Sequence, residues 1–312
     1  MKKNVKIKVI GVGGSGCNAI TRMMKCHIQG VDLIALNADI QDLKNTRAHQ
    51  RLQIGRELTK GLGAGMSPEI GRQAAEEQTE EIQEILKNSD MVFITYGAGG
   101  GTGTGAGPVV AEIAKKLGIL TIAVVTKPFG FEGIWRMKLA EKGIDNLKSK
   151  VDTLLVIPNN KLLKLINEET SLLQSFWICD EVLRQAVQGI SDLIVLPGII
   201  NVDFADLKAI MKNSGQALFG MGKSKGEKRA IEAANKAISS PLVDFSIEGA
   251  KGVLFNVSGG ADLSLTEVDE IARLITQHIH SKAKIIFGAV QDRKLGKGEI
   301  KVTVIATGFE NR

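Results

Sequence analysis

Residues 96–107 read Tyr96-Gly-Ala-Gly-Gly-Gly-Thr-Gly-Thr-Gly-Ala-Gly107, with glycine at 97, 99, 100, 101, 103, 105 and 107 and threonine at 102 and 104. The apolar run Met91-Val-Phe-Ile-Thr95 leads into this stretch, and the helix-like segment Pro108-Val-Val-Ala-Glu-Ile-Ala-Lys-Lys116 follows it. Strand, glycine loop and helix, in that order, present bare backbone N–H groups to a phosphate. Glycine lets the main chain approach closely and take φ > 0, and a helix N-terminus adds partial positive charge. So many glycines cost conformational entropy on folding. A purely structural loop, the alternative reading, rarely needs that many.

A second loop stands upstream. The strand Lys6 to Val12 runs into Gly11-Val-Gly13-Gly14-Ser15-Gly16, a G-x-G-x-x-G match with Cys17 and Asn18 behind it. The next strand, Val31 to Leu36, ends in Asn37-Ala-Asp39, about 25 residues on, where a dinucleotide fold places its ribose ligand. An NAD(P)-dependent oxidoreductase is therefore a competing reading. It leaves the loop at Gly97 to Gly107 unexplained, whereas two glycine loops at neighbouring strand ends can surround a triphosphate. Neither loop contains G-x-x-x-x-G-K-[ST], which excludes a P-loop NTPase.

Three further segments bear on the same site. Gly61-Leu-Gly-Ala64-Gly65-Met66 precedes a helix at Pro68 and is either a connector or a third side of a ring of backbone donors. Phe129-Gly-Phe-Glu132-Gly-Ile-Trp-Arg136 sets an acid and a base four apart. They form an i,i+4 salt bridge, or Glu132 accepts from ribose hydroxyls beside the Arg136 charge. Asn201-Val-Asp203-Phe-Ala-Asp206 puts two carboxylates where one could cap a helix, or where they orient water or bind a cation near a γ-phosphate. This acidic loop lies at the far end of a long helix from the glycine loops. Cys17 stands at a helix start, where a thiolate is favoured, although a small filler residue is the simpler role. His278 and His280 read as surface residues, and no metal ligand set emerges.

The 312 residues are 44% apolar and 24% charged, as in ordinary globular proteins, and no apolar run is long enough to span a bilayer. The opening Met1-Lys-Lys-Asn enters a strand directly, so no signal peptide is expected. Three cysteines without a CxxC pair suggest reduced thiols and a cytoplasmic location. The net charge of +6 is interspersed with acids, as in Glu76 to Lys87 and Lys138 to Lys150, and only three residues are Trp or Tyr. That argues against nucleic acid as a partner.

Strand and helix signals alternate through the first half. Strands at Lys6–Val12, Val31–Leu36, Met91–Thr95, Ile119–Thr126 and Thr153–Ile157 flank helices that include Cys17–Cys26 and Pro68–Lys87. This implies a mainly parallel sheet covered on both faces. Leu172, Phe176, Cys179, Leu183, Val187, Ile190 and Ile194 then recur at helical steps, a helix of roughly 35 Å stopped by Pro197-Gly198. Beyond it, helices at Ala205–Lys212, Gly226–Ser239 and Leu265–His280 and strands at Gln216–Met221, Lys251–Val257, Lys284–Val290 and Lys301–Thr307 form a smaller α+β unit. The fold class is α/β: a Rossmann-like parallel-sheet domain over 1–170, a central helix over 171–197 and an α+β domain over 198–312.

Gly99 to Gly105, G-G-G-T-G-T-G, is similar to the signature of the tubulin superfamily. With G-V-G-G-S-G-C-N-A at 11–19, K-P-F-G-F-E-G at 127–133, I-P-N-N at 157–160 and N-V-D-F-A-D-L-K at 201–208, the whole chain resembles the FtsZ family of bacterial cell-division GTPases. The resemblance implies a GTPase that stacks head to tail into protofilaments and forms the division ring at mid-cell. Its cofactors would be GTP and GDP, with Mg2+ reached through the phosphates and K+ as a second ion. By motif, Gly13, Gly14, Ser15, Gly16, Cys17 and Asn18 together with Gly99, Gly100, Gly101, Thr102, Gly103 and Thr104 would hold the phosphates. Ala64, Gly65 and Met66 would lie near the γ-phosphate, and Asn37, Glu132 and Arg136 near the ribose and phosphates. Asn159, Phe176 and Asp180 would hold guanine, with Phe176 stacking and Asp180 accepting from the ring N–H and the exocyclic amine. Asn201, Asp203 and Asp206 would activate water on the nucleotide of the neighbouring subunit. Trp177, Ile178 and Cys179 depart from the family's usual residues beside the guanine contact, and the basic balance departs from its usual acidity. The family's membrane tethers dock on a linker and terminal peptide, which this sequence, ending at Gly308-Phe-Glu-Asn-Arg312, does not include. A nucleotide-binding regulator that does not polymerise is the remaining alternative.

Overall fold

Uninterrupted apolar runs mark strands covered on both faces, as at Met91-Val-Phe-Ile94 and Ile122-Ala-Val-Val125 in the middle of the sheet. The computed structural model describes residues 5–162, 170–196, 198–239, 247–277, 279–292 and 295–309. It divides into two compact units, Met1–Ser191 and Asp192–Arg312.

In the first unit β1 (Ile7–Val12), α1 (Gly13–Lys25), β2 (Val31–Asn37), α2 (Ile40–Asn45), β3 (Gln50–Gln53) and α3 (Arg56–Thr59) come first. Then follow α4 (Pro68–Glu77), α5 (Thr79–Leu86), β4 (Met91–Gly97), α6 (Thr102–Lys116), β5 (Leu120–Lys127), α7 (Ile134–Lys148), β6 (Thr153–Pro158), α8 (Asn159–Leu162) and most of α9 (Leu172–Val195). The strands lie in the order β3-β2-β1-β4-β5-β6, and every pairing is parallel. Ile10 of β1 pairs with both Ile34 of β2 and Ile94 of β4. This order puts the ends of β1 and β4 side by side, and each of those strands runs into a glycine loop. The core under them holds Ile10, Val12, Ile94, Tyr96, Ala106 and Val110.

Two helices differ from the sequence expectation. The stretch Pro68–Lys87 forms two helices broken at Gln78 (φ −105°, ψ 27°). Gln78 is buried, its side chain accepts from the Gly55 N–H, and the Thr79 hydroxyl donates to the Glu76 carbonyl at 2.8 Å. These side-chain bonds compete with the helix ladder. Helix α6 starts at Thr102, inside the glycine stretch, and carries Pro108 within it. It starts early because Gly103, Gly105 and Gly107 are packing residues. A Cβ at Gly107 would lie 2.3 Å from the Tyr96 ring, and one at Gly105 1.9 Å from the Pro68 carbonyl of α4.

Helix α9 runs as its periodicity predicts, with Cys179, Leu183, Val187 and Ile190 buried. Phe176 is instead 39% exposed. The boundary between the units falls inside this helix, after Ser191, and Pro197 lies outside the described residues.

The second unit contains α10 (Phe204–Met211), β7 (Gly215–Lys225), α11 (Arg229–Ile238), β8 (Gly252–Gly259), α12 (Leu265–Thr276), β9 (Lys284–Gln291) and β10 (Glu299–Thr307). Strand β10 is antiparallel to β7 and β8, and β8 is parallel to β9. Helix α11 lies directly on β7. Cβ atoms at Gly220 and Gly222 would stand 1.8 and 2.0 Å from the Ala237 and Ala233 carbonyls. His278 lies outside the described residues, and His280 is exposed, its Nδ1 accepting from the Lys282 N–H at 3.1 Å.

Candidate nucleotide site

Three loops meet beyond the ends of β1 and β4. Gly13 takes φ +69°, and a Cβ there would stand 2.9 Å from the Gly103 nitrogen, so the first loop lies directly on the second. A Cβ at Gly101 would be 2.9 Å from both the Ala64 Cβ and the Ser67 nitrogen, so the second loop lies on the third. Between them is a cavity of ≈ 330 Å³ lined by Gly13, Gly14, Ser15, Asn37, Asp39, Asp42, Gly63, Ala64, Gly65, Met66, Gly100, Gly101, Thr102, Gly103 and Arg136, among others. Its size is that of a small-molecule pocket.

The wall offers uncommitted backbone donors. Helices α1 and α6 begin at this cavity with no side-chain cap and no acid in the first turn. Their neighbours α2 and α4 are capped by Asp39 and Ser67. The first N–H groups of a helix lack intrahelical acceptors, so two uncapped N-termini facing one cavity suit a polyanion. At Gly100 nothing lies within 4 Å of where a Cβ would stand, and the wall is open there.

Other members of the glycine stretches face the protein. The Thr104 hydroxyl accepts from the Gly99 N–H at 2.9 Å and stays buried. Gly99 (φ +97°) receives the Arg136 backbone, with its Cβ position 2.7 Å from the Arg136 carbonyl. Gly16 packs on the Thr95 carbonyl. Cys17 is buried with Ala35 and Leu43, and burial pushes its thiol up to about 12. The thiolate expectation for Cys17 is thereby corrected, because desolvation outweighs the hydrogen bonds that favour the charged form.

The acids of this region are already engaged. The Asp39 carboxylate accepts from the backbone of Gln41 (2.9 Å) and Asp42 (3.1 Å). Asn37, almost fully buried, donates to Asp42 at 2.7 Å and accepts from the Asp39 N–H at 3.3 Å. Burial, with Asp39 adding to it, raises the Asp42 carboxyl above its ordinary range. Glu132 accepts from the Phe129 N–H at 2.8 Å and pairs with Arg136 at 3.1 Å. The i,i+4 salt bridge of the simpler reading is therefore present, and Arg136 also reaches the cavity wall, with a buried Nε that has no hydrogen-bond partner among the described residues.

Asn18 is exposed, one turn along α1 from Gly14 and Ser15. Phe176 meets Phe129 edge-on at 5.6 Å, and Phe129 stacks on Phe131 at 5.0 Å. Asn159 is buried, and its Oδ1 has no hydrogen-bond partner among the described residues. Asp180 pairs with Arg22 of α1 at 3.2 Å, and burial pushes its carboxyl up to about 6 despite that partner. Arg22 was missed in the sequence. Its one local signal is its position a helical turn beyond Asn18.

In the second unit Asn201 Oδ1 accepts from the Gly198 N–H at 2.8 Å and steadies the acidic loop. Asp203 occupies the N-cap position of α10 but makes no capping bond, and Asp206 sits in the first turn. Both are exposed, and neither carboxylate has a side-chain partner among the described residues.

The family model for the GTPase domain of the Tubulin/FtsZ family matches residues 6–167, and that for the FtsZ C-terminal domain matches 215–310. The chain belongs to the tubulin/FtsZ family. It is 48% identical to an FtsZ from M. jannaschii solved as an empty dimer, with a TM-score of 0.93 over 99% of this chain and 89% of that one. A tryptophan-to-tyrosine mutant of FtsZ from the same organism gives 49% identity and a TM-score of 0.93, over 98% of this chain and 92% of that one. CetZ2 from Haloferax volcanii, solved as a GTPγS-bound protofilament, shares the fold at 20% identity and a TM-score of 0.82, over 98% of this chain and 94% of that one. This FtsZ-family chain is a GTPase, and GTP and GDP are its nucleotides. The oxidoreductase reading falls with the assignment, although the G-x-G-x-x-G and the strand–helix setting on which it rested are both present. Among the described residues no helix is long and apolar enough to cross a membrane.

Proposed function

We propose that GTP occupies the glycine-walled cavity and is hydrolysed only when subunits join head to tail in a protofilament. The observation that carries this reading is the contact of three glycine loops around one cavity with two uncapped helix N-termini. The loops Gly13 to Asn18 and Gly99 to Thr104 cradle the phosphates, with the free N–H groups at the N-termini of α1 and α6 as donors and Gly100 at the open part of the wall. Ala64 to Met66 lie near the γ-phosphate, while Asn37, Glu132 and Arg136 flank the ribose and phosphates. Phe176 stacks on guanine, and Asn159 and Asp180 bond its edge. Mg2+ would be held through the phosphates rather than by protein ligands and would supply positive charge beside the γ-phosphoryl group. K+ is a second candidate ion.

The water-activating groups are Asp203 and Asp206, with Asn201 holding their loop. Every residue lining the cavity belongs to the first unit, whereas these two exposed acids stand in the second and serve no cap or ion pair among the described residues. They act on the nucleotide of the next subunit, so turnover reports assembly. In the cell the filament forms the division ring in the cytoplasm at mid-cell, with the family's membrane tethers as its expected partners.

Asp206→Ala tests the division of labour. The variant binds GTP and sediments as polymer, while its turnover falls by about 100-fold or more. Loss of nucleotide binding instead places the acidic loop wrongly.

A further inference from the structure

Arg22 crosses from α1 to α9 and makes three contacts there. Its Nη2 lies 3.2 Å from Asp180 Oδ2, its Nη1 donates to the Trp177 carbonyl at 3.1 Å, and its guanidinium carbon stands 4.1 Å from the centre of the Trp177 ring. The Arg22 and Asp180 side chains are nearly enclosed, at 11% and 13% exposure, whereas Trp177 is 56% exposed. The buried Arg22 Nε has no hydrogen-bond partner among the described residues. The guanidinium is thus held by one carboxylate oxygen, one carbonyl and the face of an indole. A cation on an indole face is attracted by the ring quadrupole, more strongly where water is excluded.

Resting on the assignment of Asp180 to the guanine edge, we propose that Arg22, clamped by Trp177, is the positioning residue that keeps Asp180 anionic and aimed at guanine. The pair Arg22–Trp177 then determines the preference for GTP over ATP. Guanine presents two adjacent donors, the ring N–H and the exocyclic amine, and an ionised carboxylate accepts both. Arg22 takes only Oδ2, and Oδ1 carries no contact among the described residues, so acceptor capacity remains.

The electrostatic need is visible in the surroundings. Burial drives the Asp180 carboxyl towards its neutral form, and the charge and hydrogen bond of Arg22 oppose it. Glu132, from the turn before α7, acts on the neighbouring Cys179 with the same sign as Asp180 does, and Glu181 on α9 is paired with Arg184. Arg22 is the cation facing Asp180 within this group. Without it, the carboxyl takes up a proton closer to neutrality, and a protonated carboxyl turns a donor towards a donor edge. Trp177 keeps the guanidinium from swinging to solvent. A merely structural tie between α1 and α9 affects GTP and ATP binding equally and at every pH.

The test is equilibrium binding of GTP and of ATP to the full chain across about pH 6 to 8.5. The unmodified protein keeps its GTP preference from the alkaline end to neutral pH and starts to lose it only towards about pH 6, where the Asp180 carboxyl takes up a proton. Arg22→Gln loses about tenfold of the preference at neutral pH and regains it as the pH rises. Arg22→Lys restores most of the neutral-pH preference, and Trp177→Leu gives an intermediate shift in the same direction. A preference in Arg22→Gln that is unchanged, or reduced equally at all pH values, overturns the inference. If Arg22→Gln does not fold, Trp177→Leu at its exposed site decides, and an unaltered pH profile there overturns it. Equal affinity of the unmodified protein for GTP and ATP at every pH overturns the guanine assignment itself, and the clamp with it.

Discussion

At the scale of single residues, the glycines that dominate the sequence divide into two classes. Gly100 faces open space at the cavity, whereas Gly105 lies where a Cβ would overlap the Pro68 carbonyl. Substitution separates these roles. Gly105→Ala forces α4 and α6 apart and costs about 1–3 kcal/mol or more, read as a lower urea midpoint. Gly100→Ala leaves that midpoint within about 0.5 kcal/mol and weakens GTP binding, because a methyl group enters the wall of the cavity. If both variants lower the midpoint alike, the division is wrong. The expectation that the stretch binds phosphate rests on glycine density and its strand–helix setting. Which glycines serve packing was not legible in the sequence, because that depends on the Tyr96 ring and on the close approach of α4. Asn37 was read as a ribose ligand from its distance along the chain, while its bonds to Asp39 and Asp42 depend on how the β2–α2 corner closes.

At the scale of elements, periodicity located every strand but one and most of the longer helices, since an apolar face must be buried whatever the tertiary arrangement, while the short α2, α3 and α8 carry too few residues to show a period. It failed where a side chain competes with the backbone. Gln78 breaks the expected long helix by reaching Gly55, a partner 23 residues away that no local window shows. The short β3 also escaped notice, because as Gln-Arg-Leu-Gln it carries a single apolar residue. In the second unit Arg229 of α11 binds Asp262 and Glu267, tying α11 to the start of α12. Its hydrogen bonds hold the Glu267 and Asp262 carboxyls below their ordinary range. A carboxyl whose folded pKa is depressed stabilises the protein above its unfolded pKa of about 4, and that contribution is lost as pH falls through the folded value. Arg229→Met therefore lowers the urea midpoint at neutral pH and flattens its decline in acid. An acid limb as steep as that of the unmodified protein contradicts this account of the α11–α12 tie.

At the scale of the whole molecule, the parallel order β3-β2-β1-β4-β5-β6 brings the two glycine loops together, although they stand more than 80 residues apart in sequence. Alternating strand and helix made the sheet legible; family resemblance supplied the guanine pocket and the role of the acidic loop. The Arg22–Asp180 pair spans 158 residues, and no pattern in either segment announces it. The central claim is that the chain carries two halves of a catalytic site that meet only between molecules. The cavity belongs to the first unit and the exposed acids Asp203 and Asp206 to the second. GTP turnover per subunit, measured across a range of protein concentrations, tests this most directly. The account predicts turnover near zero at low concentration and a steep rise once polymer forms, suppressed when Asp206→Ala subunits are mixed in. Turnover per subunit that is constant at all concentrations contradicts it.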